Sequence, residues 1–235
     1  MIAMVTGAGR GLGKTIALAF EDAGYTVARC IRGAKEFNCD LADASAAPTL
    51  INAVIHKYGT IDVLVNNARA SERNTLETED EDTWDREIAV DLKSAYFLGK
   101  YAIENMHGGA VVNVGSITTN FVSHESAAYQ LSKGAVLQMT RVLAKLGGPR
   151  GVRCNAVLPG FIVTDEHRYV AAENAEYRAA VEKIHPLGRA GSPWDIAKTC
   201  LFLAEAPWIT GASLVVDGGL TIQELAGFTL KEKTS

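Results

Sequence analysis

The sequence predicts an α/β fold, a single doubly wound, mainly parallel sheet with helices on both faces. Short apolar runs such as Ile2-Ala-Met-Val5, Ile61-Asp-Val-Leu-Val65 and Ala110-Val-Val-Asn-Val114 alternate with stretches of helical periodicity. The first run empties into a glycine loop, Thr6-Gly-Ala-Gly-Arg-Gly-Leu-Gly13, and a helix follows at once. At 235 residues, without repeat, low-complexity tract or linker, the chain suits one domain spanning residues 1–235 with a large core.

The totals exclude several functions. A net charge of −4 gives no electrostatic case for nucleic acid or an anionic membrane. Four cysteines (Cys30, Cys39, Cys154, Cys200) form no CxxC pair and have no ligand-like spacing with histidine, so they read as reduced thiols of a cytoplasmic protein. The five histidines are scattered, and no metal site is expected. A strand beginning at Ile2 leaves no room for a signal peptide, and no apolar run is long enough to span a membrane.

Taken in order, β-strand, glycine turn and helix (Leu12 to Ala23) are the context that a dinucleotide loop needs. Glycines permit close backbone approach, and the helix start offers N–H groups and a positive dipole end to a pyrophosphate. The second strand, Thr26 to Ile31, ends where NAD enzymes of this fold place an acid on the ribose 2′-hydroxyl. Here that position is Ile31, flanked by Arg32, with Arg10 in the glycine loop; guanidiniums and no carboxylate favour a 2′-phosphate, hence NADP(H). Arg29, in mid-strand, receives no role. Five residues separate Ile31 from Phe37, a reach of roughly 17 Å, enough to recross a short strand but too little for a packed helix. The second crossover helix is therefore expected to be missing, which puts a third strand near Glu36 to Cys39 in question.

Leu50 to Tyr58 reads as an amphipathic helix, and the strand Ile61 to Val65 delivers Asn66-Asn67-Ala68-Arg69. The acidic stretch from Arg73 to Asp82 reads as a loop capping a long helix, Trp84 to about Asn105. After the strand Ala110 to Val114 come Gly115-Ser116 and a polar loop, then Tyr129-Gln-Leu-Ser-Lys133 opens a helix on which Val136, Met139, Val142, Leu143 and Leu146 recur at helical spacing. Tyr129 and Lys133 thus lie one turn apart on one face. A fixed ammonium there favours phenolate, and the Ser116 hydroxyl is placed to steady an oxygen beside it; such a set moves a proton on or off a carbonyl oxygen. A strand from Gly151 to Val157 runs into Pro159-Gly160-Phe161-Ile162-Val163-Thr164. A variable segment about 161–190 follows, with a helix near Ala175 to Ile184; then a helix from Pro193 to Leu203, a last strand within Ala212 to Gly219, and a tail from Thr221 to Ser235 that either packs across a partner or frays.

Tyr and Lys at that spacing are common on amphipathic helices. The glycine loop, Asn66-Asn67-Ala68 and the Ser-Tyr-Lys set in this order are specific, and together they resemble the short-chain dehydrogenase/reductase family from Met1 to about Thr221. The resemblance implies hydride transfer between a nicotinamide cofactor and a carbonyl or secondary alcohol. Tyr129 would be the acid/base, Ser116 would orient the carbonyl, and Lys133 would bind the ribose and depress the tyrosine pKa. It implies cofactor contacts from Gly7, Gly11, Leu12 and Gly13, from the Asp40-Leu41 pair at the adenine, from Asn67 and Ala68, and from Pro159, Gly160, Ile162 and Thr164. The chain departs from the family at Arg69, where glycine is usual; this cation either narrows the nicotinamide side, meets an anionic substrate or points to solvent. It also departs at Asp91, where an asparagine usually supports the proton relay; the carboxylate still holds water but adds negative charge. Segment 161–190 corresponds to the family's variable substrate lid. A small or ring ketone is the implied substrate, 3-oxoacyl groups included, with pteridine reduction (from Arg10 and Asp165-Glu166-His167) and a non-catalytic NADP(H)-binding sensor as alternatives. A homodimer or homotetramer through the two long helices is implied as well.

Overall fold

A computed structural model describes residues 1–70, 74–164 and 175–222. Strands β1 (Ile2–Thr6), β2 (Thr26–Cys30), β3 (Val63–Asn66), β4 (Gly109–Val114), β5 (Val152–Pro159) and β6 (Ser213–Val216) form one sheet in the order β2-β1-β3-β4-β5-β6. Every pairing is parallel. Helices α1 (Gly11–Asp22) and α7 (Pro193–Glu205) cover one face; α2 (Ala46–Tyr58), α4 (Ser94–Asn105) and α5 (Ala127–Gly147) cover the other. The pleat explains both cores. Met4, Leu64 and Val111 point to the α2/α4/α5 side, while their neighbours Ala3 and Val5, Val63 and Val65, and Ala110 and Val112 point to the α1/α7 side. Parallel strands covered on both faces are apolar throughout, which is why their runs do not alternate in sequence.

No strand forms at Glu36 to Cys39, and no helix joins β2 to that region. Residues 31–45 instead make a compact turn: Ile31 N–H donates to Phe37 O (3.3 Å), Gly33 N–H donates to Asn38 Oδ1 (2.6 Å), and Phe37 adopts a left-handed φ of 49°. The Phe37 ring packs against Tyr58 with centroids 6.0 Å apart, and the Lys57 ammonium lies over both rings. This aromatic plug covers the core where a further strand would begin, and β2 becomes the sheet edge. Arg29 on that edge strand has a structural explanation: its guanidinium grips Glu21 of α1 with bonds of 3.0 and 2.8 Å.

The long helix of the sequence reading is three pieces. Helix α3 (Glu81–Glu87) starts on a reciprocal cap between Asp80 and Thr83, a widened π turn covers Ile88–Lys93, and α4 continues from Ser94. A π turn admits an extra residue and often marks a functional position; this one turns Asp91 inward. On α5, Val136, Met139 and Leu143 are buried as the periodicity predicts, but Val142 and Leu146 are exposed. That apolar face is wider than the sheet can cover. Helix α6 (Ala175–Lys183) lies within the variable segment. No described helix is long and apolar enough to cross a membrane.

The strand order reverses between β1 and β3, whose chains leave in opposite directions across the sheet. Open α/β sheets bind ligands at such a switch point, outside the carboxyl ends of the strands. The glycine loop, residues 67–69, Ser116 and segment 159–164 all directly follow strand ends on that side.

Candidate active site

The glycine loop is locked to the end of β3. Thr6 Oγ1 accepts from Asn67 N–H (3.0 Å) and Ala68 N–H (3.1 Å), while Asn67 Nδ2 donates to Thr6 O (3.0 Å). A Cβ on Gly13 would stand 2.2 Å from Gly7 O and 2.4 Å from Asn67 Nδ2, so only glycine lets the helix start this close to the loop. Helix α1 begins at Gly11 without a side-chain cap. Its first N–H groups have no intrahelical acceptor, and with the dipole they form a seat for a phosphate anion. The cradle fits a dinucleotide pyrophosphate. Gly13→Ala is expected to weaken cofactor binding by at least tenfold, about 1.4 kcal/mol, because a backbone oxygen must move; fluorescence titration with NADPH checks this.

On the ribose side, Ile31 Cγ2 comes within 3.0 Å of where a Gly9 Cβ would lie, so an apolar side chain fills the place of the usual acid. Leu12 packs with Ile31 against the α1/α7 core. Asp40, the expected adenine contact, accepts from Ala42 N–H (3.1 Å) and pairs with Arg86 Nη2 at 3.1 Å and with Arg32 Nη1 at 3.9 Å. The Ala42 hydrogen bond, then Arg86 and Arg32, hold its carboxyl below the usual carboxylate range. Arg86 was not singled out by the sequence; only the last turn of α3 places it here. Leu41 packs against the α2/α4/α5 core.

At the opposite end, β4 carries Ser116 to a buried position, where its hydroxyl accepts from Thr118 N–H at 3.2 Å. Lys133 reaches from α5 to the same strand end: its Nζ lies 3.4 Å from Val114 O and 3.3 Å from Asp91 Oδ2. Both charged side chains are almost fully enclosed, at 5 % and 1 % exposure. Asp91 Oδ1 accepts from Ala70 N–H at 2.6 Å. The Lys133 ammonium is 5.6 Å from the centre of the Tyr129 ring, and the Arg69 guanidinium is 5.8 Å from it. Arg69 therefore stands beside the tyrosine, and two cations lie within about 6 Å of the centre of the ring that would carry the reacting proton.

Segment 159–164 runs from the end of β5 to the glycine loop. Gly160 abuts Asp217, where a Cβ would meet backbone at 2.6 Å, and the Thr164 methyl lies 3.7 Å from a Cβ position on Gly11. Ile162 bridges to Gly191 and packs on the α1/α7 core. Pro159 is the last residue of β5. Asp165-Glu166-His167, on which the pteridine reading drew, and the tail beyond Ile222 lie outside the described residues.

Beneath the site, Asn66 Nδ2 donates to Asn113 Oδ1 (2.9 Å) and Ala95 O (3.1 Å), and Asn113 Nδ2 donates to Thr140 Oγ1 (2.9 Å). This buried network ties β3, β4, α4 and α5 together; an asparagine inside the apolar run Ala110–Val114 was its only signal. Glu87, also missed, is buried beside Ser126. Burial pushes its carboxyl up, the Ser126 hydrogen bond opposes this, and Asp91 and Glu79 add repulsion in the same direction as burial. Stability from a raised carboxyl is present below its unfolded value of about 4.3 and is lost as pH rises through the folded value. Glu87→Gln lacks that titration, so its melting temperature relative to the parent protein is expected to increase between about pH 4 and pH 8. The thiols are all free, and burial raises Cys154 and Cys200 to about 12 and Cys39 to about 11, which leaves no thiolate nucleophile at neutral pH.

Residues 7–221 match the family model described as enoyl-(acyl carrier protein) reductase. The chain is 34% identical over 241 residues to the 3-oxoacyl-acyl-carrier-protein reductase of Staphylococcus aureus, covering 93% of this chain and 97% of that protein. It is 34% identical over 246 residues to the D-threitol dehydrogenase of Mycolicibacterium smegmatis, covering 94% and 93%. Among solved structures, ElxO with NADP bound superposes with a TM-score of 0.87 at 30% identity, covering 94% of this chain and 99% of that one. The fold and its order of motifs agree with these matches, and the chain belongs to the short-chain dehydrogenase/reductase family of oxidoreductases.

Proposed function

We propose that this oxidoreductase interconverts a small or ring ketone and its secondary alcohol with NADP(H), 3-oxoacyl groups being the leading substrate class. The observation that carries the reading is the Tyr129 ring with the Lys133 and Arg69 cations 5.6 and 5.8 Å from its centre. The nicotinamide, when bound, supplies or takes the hydride. In the reducing direction Tyr129 gives its phenolic proton to the carbonyl oxygen, and in the oxidising direction it takes the proton back. Two positive charges close to the ring stabilise the negative charge that develops on its oxygen. Ser116, at the end of β4, orients the carbonyl oxygen. Lys133 is poised for the ribose hydroxyls, held by Val114 O and Asp91. The 3-oxoacyl class draws on the Staphylococcus aureus relative. A screen of ring ketones, 3-oxoacyl thioesters and pterins against NADPH, followed at the nicotinamide absorbance, tests it; consumption with pterins alone would replace the reading, and none with any carbonyl would favour a sensor.

The NADP(H) choice rests on Arg10 and Arg32 beside an apolar Ile31, and it is in line with the NADP-bound neighbour. Asp40 is balanced chiefly by Arg86, and Arg32, 63 % exposed and 3.9 Å away, keeps its charge for a 2′-phosphate. NADPH is expected to bind more tightly than NADH, and Arg32→Ala to cost roughly 1.5–3 kcal/mol of the NADPH affinity while leaving NADH unchanged. Parallel titrations of both cofactors check this; equal affinities defeat it. A homodimer or homotetramer through α4 and α5, in the cytoplasm, completes the proposal. Leu131, Val142 and Leu146 exposed on α5 support the association, and sedimentation velocity tests it.

A further inference from the structure

Two acids converge on the first turn of α5, the helix that carries Tyr129 and Lys133. A helix start leaves its first N–H groups without intrahelical acceptors. Here Ala127 N–H and Ala128 N–H donate to the two oxygens of Glu79 at 3.2 and 3.0 Å, and Tyr129 N–H donates to Ser126 Oγ at 3.2 Å. Ser126 has one hydroxyl proton, and it goes to Glu87 Oε2. With that proton committed, the serine lone pairs are aimed at the Tyr129 backbone. Glu87 and Ser126 are 4 % and 2 % exposed, and an antiparallel bridge between Thr75 and Glu125 ties the acidic loop alongside. A single serine already caps a helix. A second, buried carboxylate carries a desolvation cost that capping alone does not explain.

The register supplies the explanation. Glu87 and Asp91 are four residues apart on the α3–π segment, and Tyr129 and Lys133 are four apart on α5. Glu87 holds the backbone of Tyr129 through Ser126, while Asp91 holds the ammonium of Lys133 directly. We infer that Glu87, with Glu79 beside it, is a positioning residue for the acid/base: the α3–π segment grips the Tyr-Lys pair at both members and fixes where the phenol stands relative to the Arg69 and Lys133 cations. The inference rests on the catalytic reading of Tyr129.

The test compares Glu87→Val, Glu87→Gln, Glu79→Ala and Tyr129→Phe with the parent protein, using NADPH and acetoacetyl-coenzyme A as probes. Glu87→Val is expected to lower kcat on the order of tenfold to a hundredfold, as a displaced catalytic group does, with KM and NADPH affinity unchanged. Glu79→Ala, at a half-buried loop position, is expected to lower kcat in the same sense but less. Glu87→Gln keeps an oxygen for the Ser126 hydroxyl and is expected to recover most of the loss. If Tyr129→Phe is inactive while Glu87→Val and Glu79→Ala keep the parent kcat, the clamp is wrong and the catalytic reading stands. If Tyr129→Phe retains activity, the catalytic reading itself fails. Amide hydrogen exchange across residues 127–133 requires no substrate: it is expected to quicken in Glu79→Ala and Glu87→Val and to stay slow in Glu87→Gln. Slow exchange in all three overturns the clamp whatever the probe does.

Discussion

Tyr129→Phe is expected to leave NADPH bound and to remove on the order of 10²- to 10⁴-fold of turnover, the range that positioned general acid–base catalysis contributes. The substitution deletes one oxygen from a half-buried ring and disturbs no described hydrogen bond of that oxygen, so the fold should be untouched. The Lys133 and Arg69 charges remain beside the phenyl ring, but they have no ionisable oxygen to act on. Steady-state kinetics with a carbonyl substrate, paired with an NADPH titration, separates the outcomes. Lost turnover with intact binding fits a missing proton donor. Near-parental rates would mean that another group supplies the proton, and weakened NADPH binding would mean that the ring is a cofactor contact first.

The sequence could bring the glycine loop, Asn67-Ala68, Ser116 and segment 159–164 to one side because each is a local pattern attached to a strand end, which a parallel sheet gathers on one side; the Tyr-Lys pair, on α5, followed from helical spacing instead. The missing crossover helix was legible from chain length alone. The aromatic plug that replaces it was not, because Phe37 and Tyr58 meet only once the chain has turned. Arg29, left without a role, needed the neighbouring α1 to reveal Glu21. Arg86, Glu87 and Asn113 were missed for the same reason: their partners lie 46, 39 and 27 residues away in sequence. The π turn escaped because one added residue in a helical turn hardly alters apolar periodicity. Its consequence is large, since it decides where Asp91 points.

The sequence placed Asp91 near the lysine and tyrosine as an added negative charge, and the distance decides what that charge does. At 3.3 Å from Lys133 Nζ, with both side chains almost fully enclosed, it is the counter-ion of the lysine. Removing one member of a buried pair strands the other, at a cost of about 3–5 kcal/mol. Asp91→Asn is expected to approach the lower end of that range, because its amide oxygen can still accept from Ala70 N–H and offer a dipole to the ammonium. Asp91→Ala also orphans the buried Ala70 N–H, which adds about 1–3 kcal/mol. For a chain of this size each kcal/mol moves the melting temperature by roughly 2–4 °C. Calorimetry should therefore show a fall on the order of 10 °C for Asp91→Asn and a clearly larger one for Asp91→Ala. Turnover should separate from stability. Asp91→Asn, measured well below its melting point, is expected to remain active, since the Lys133 charge that assists Tyr129 is no longer shared with a carboxylate. An Asn variant as stable as its parent would show that the pair contributes nothing to the fold. A stable but inactive one would make the Asp91 carboxylate itself part of the chemistry.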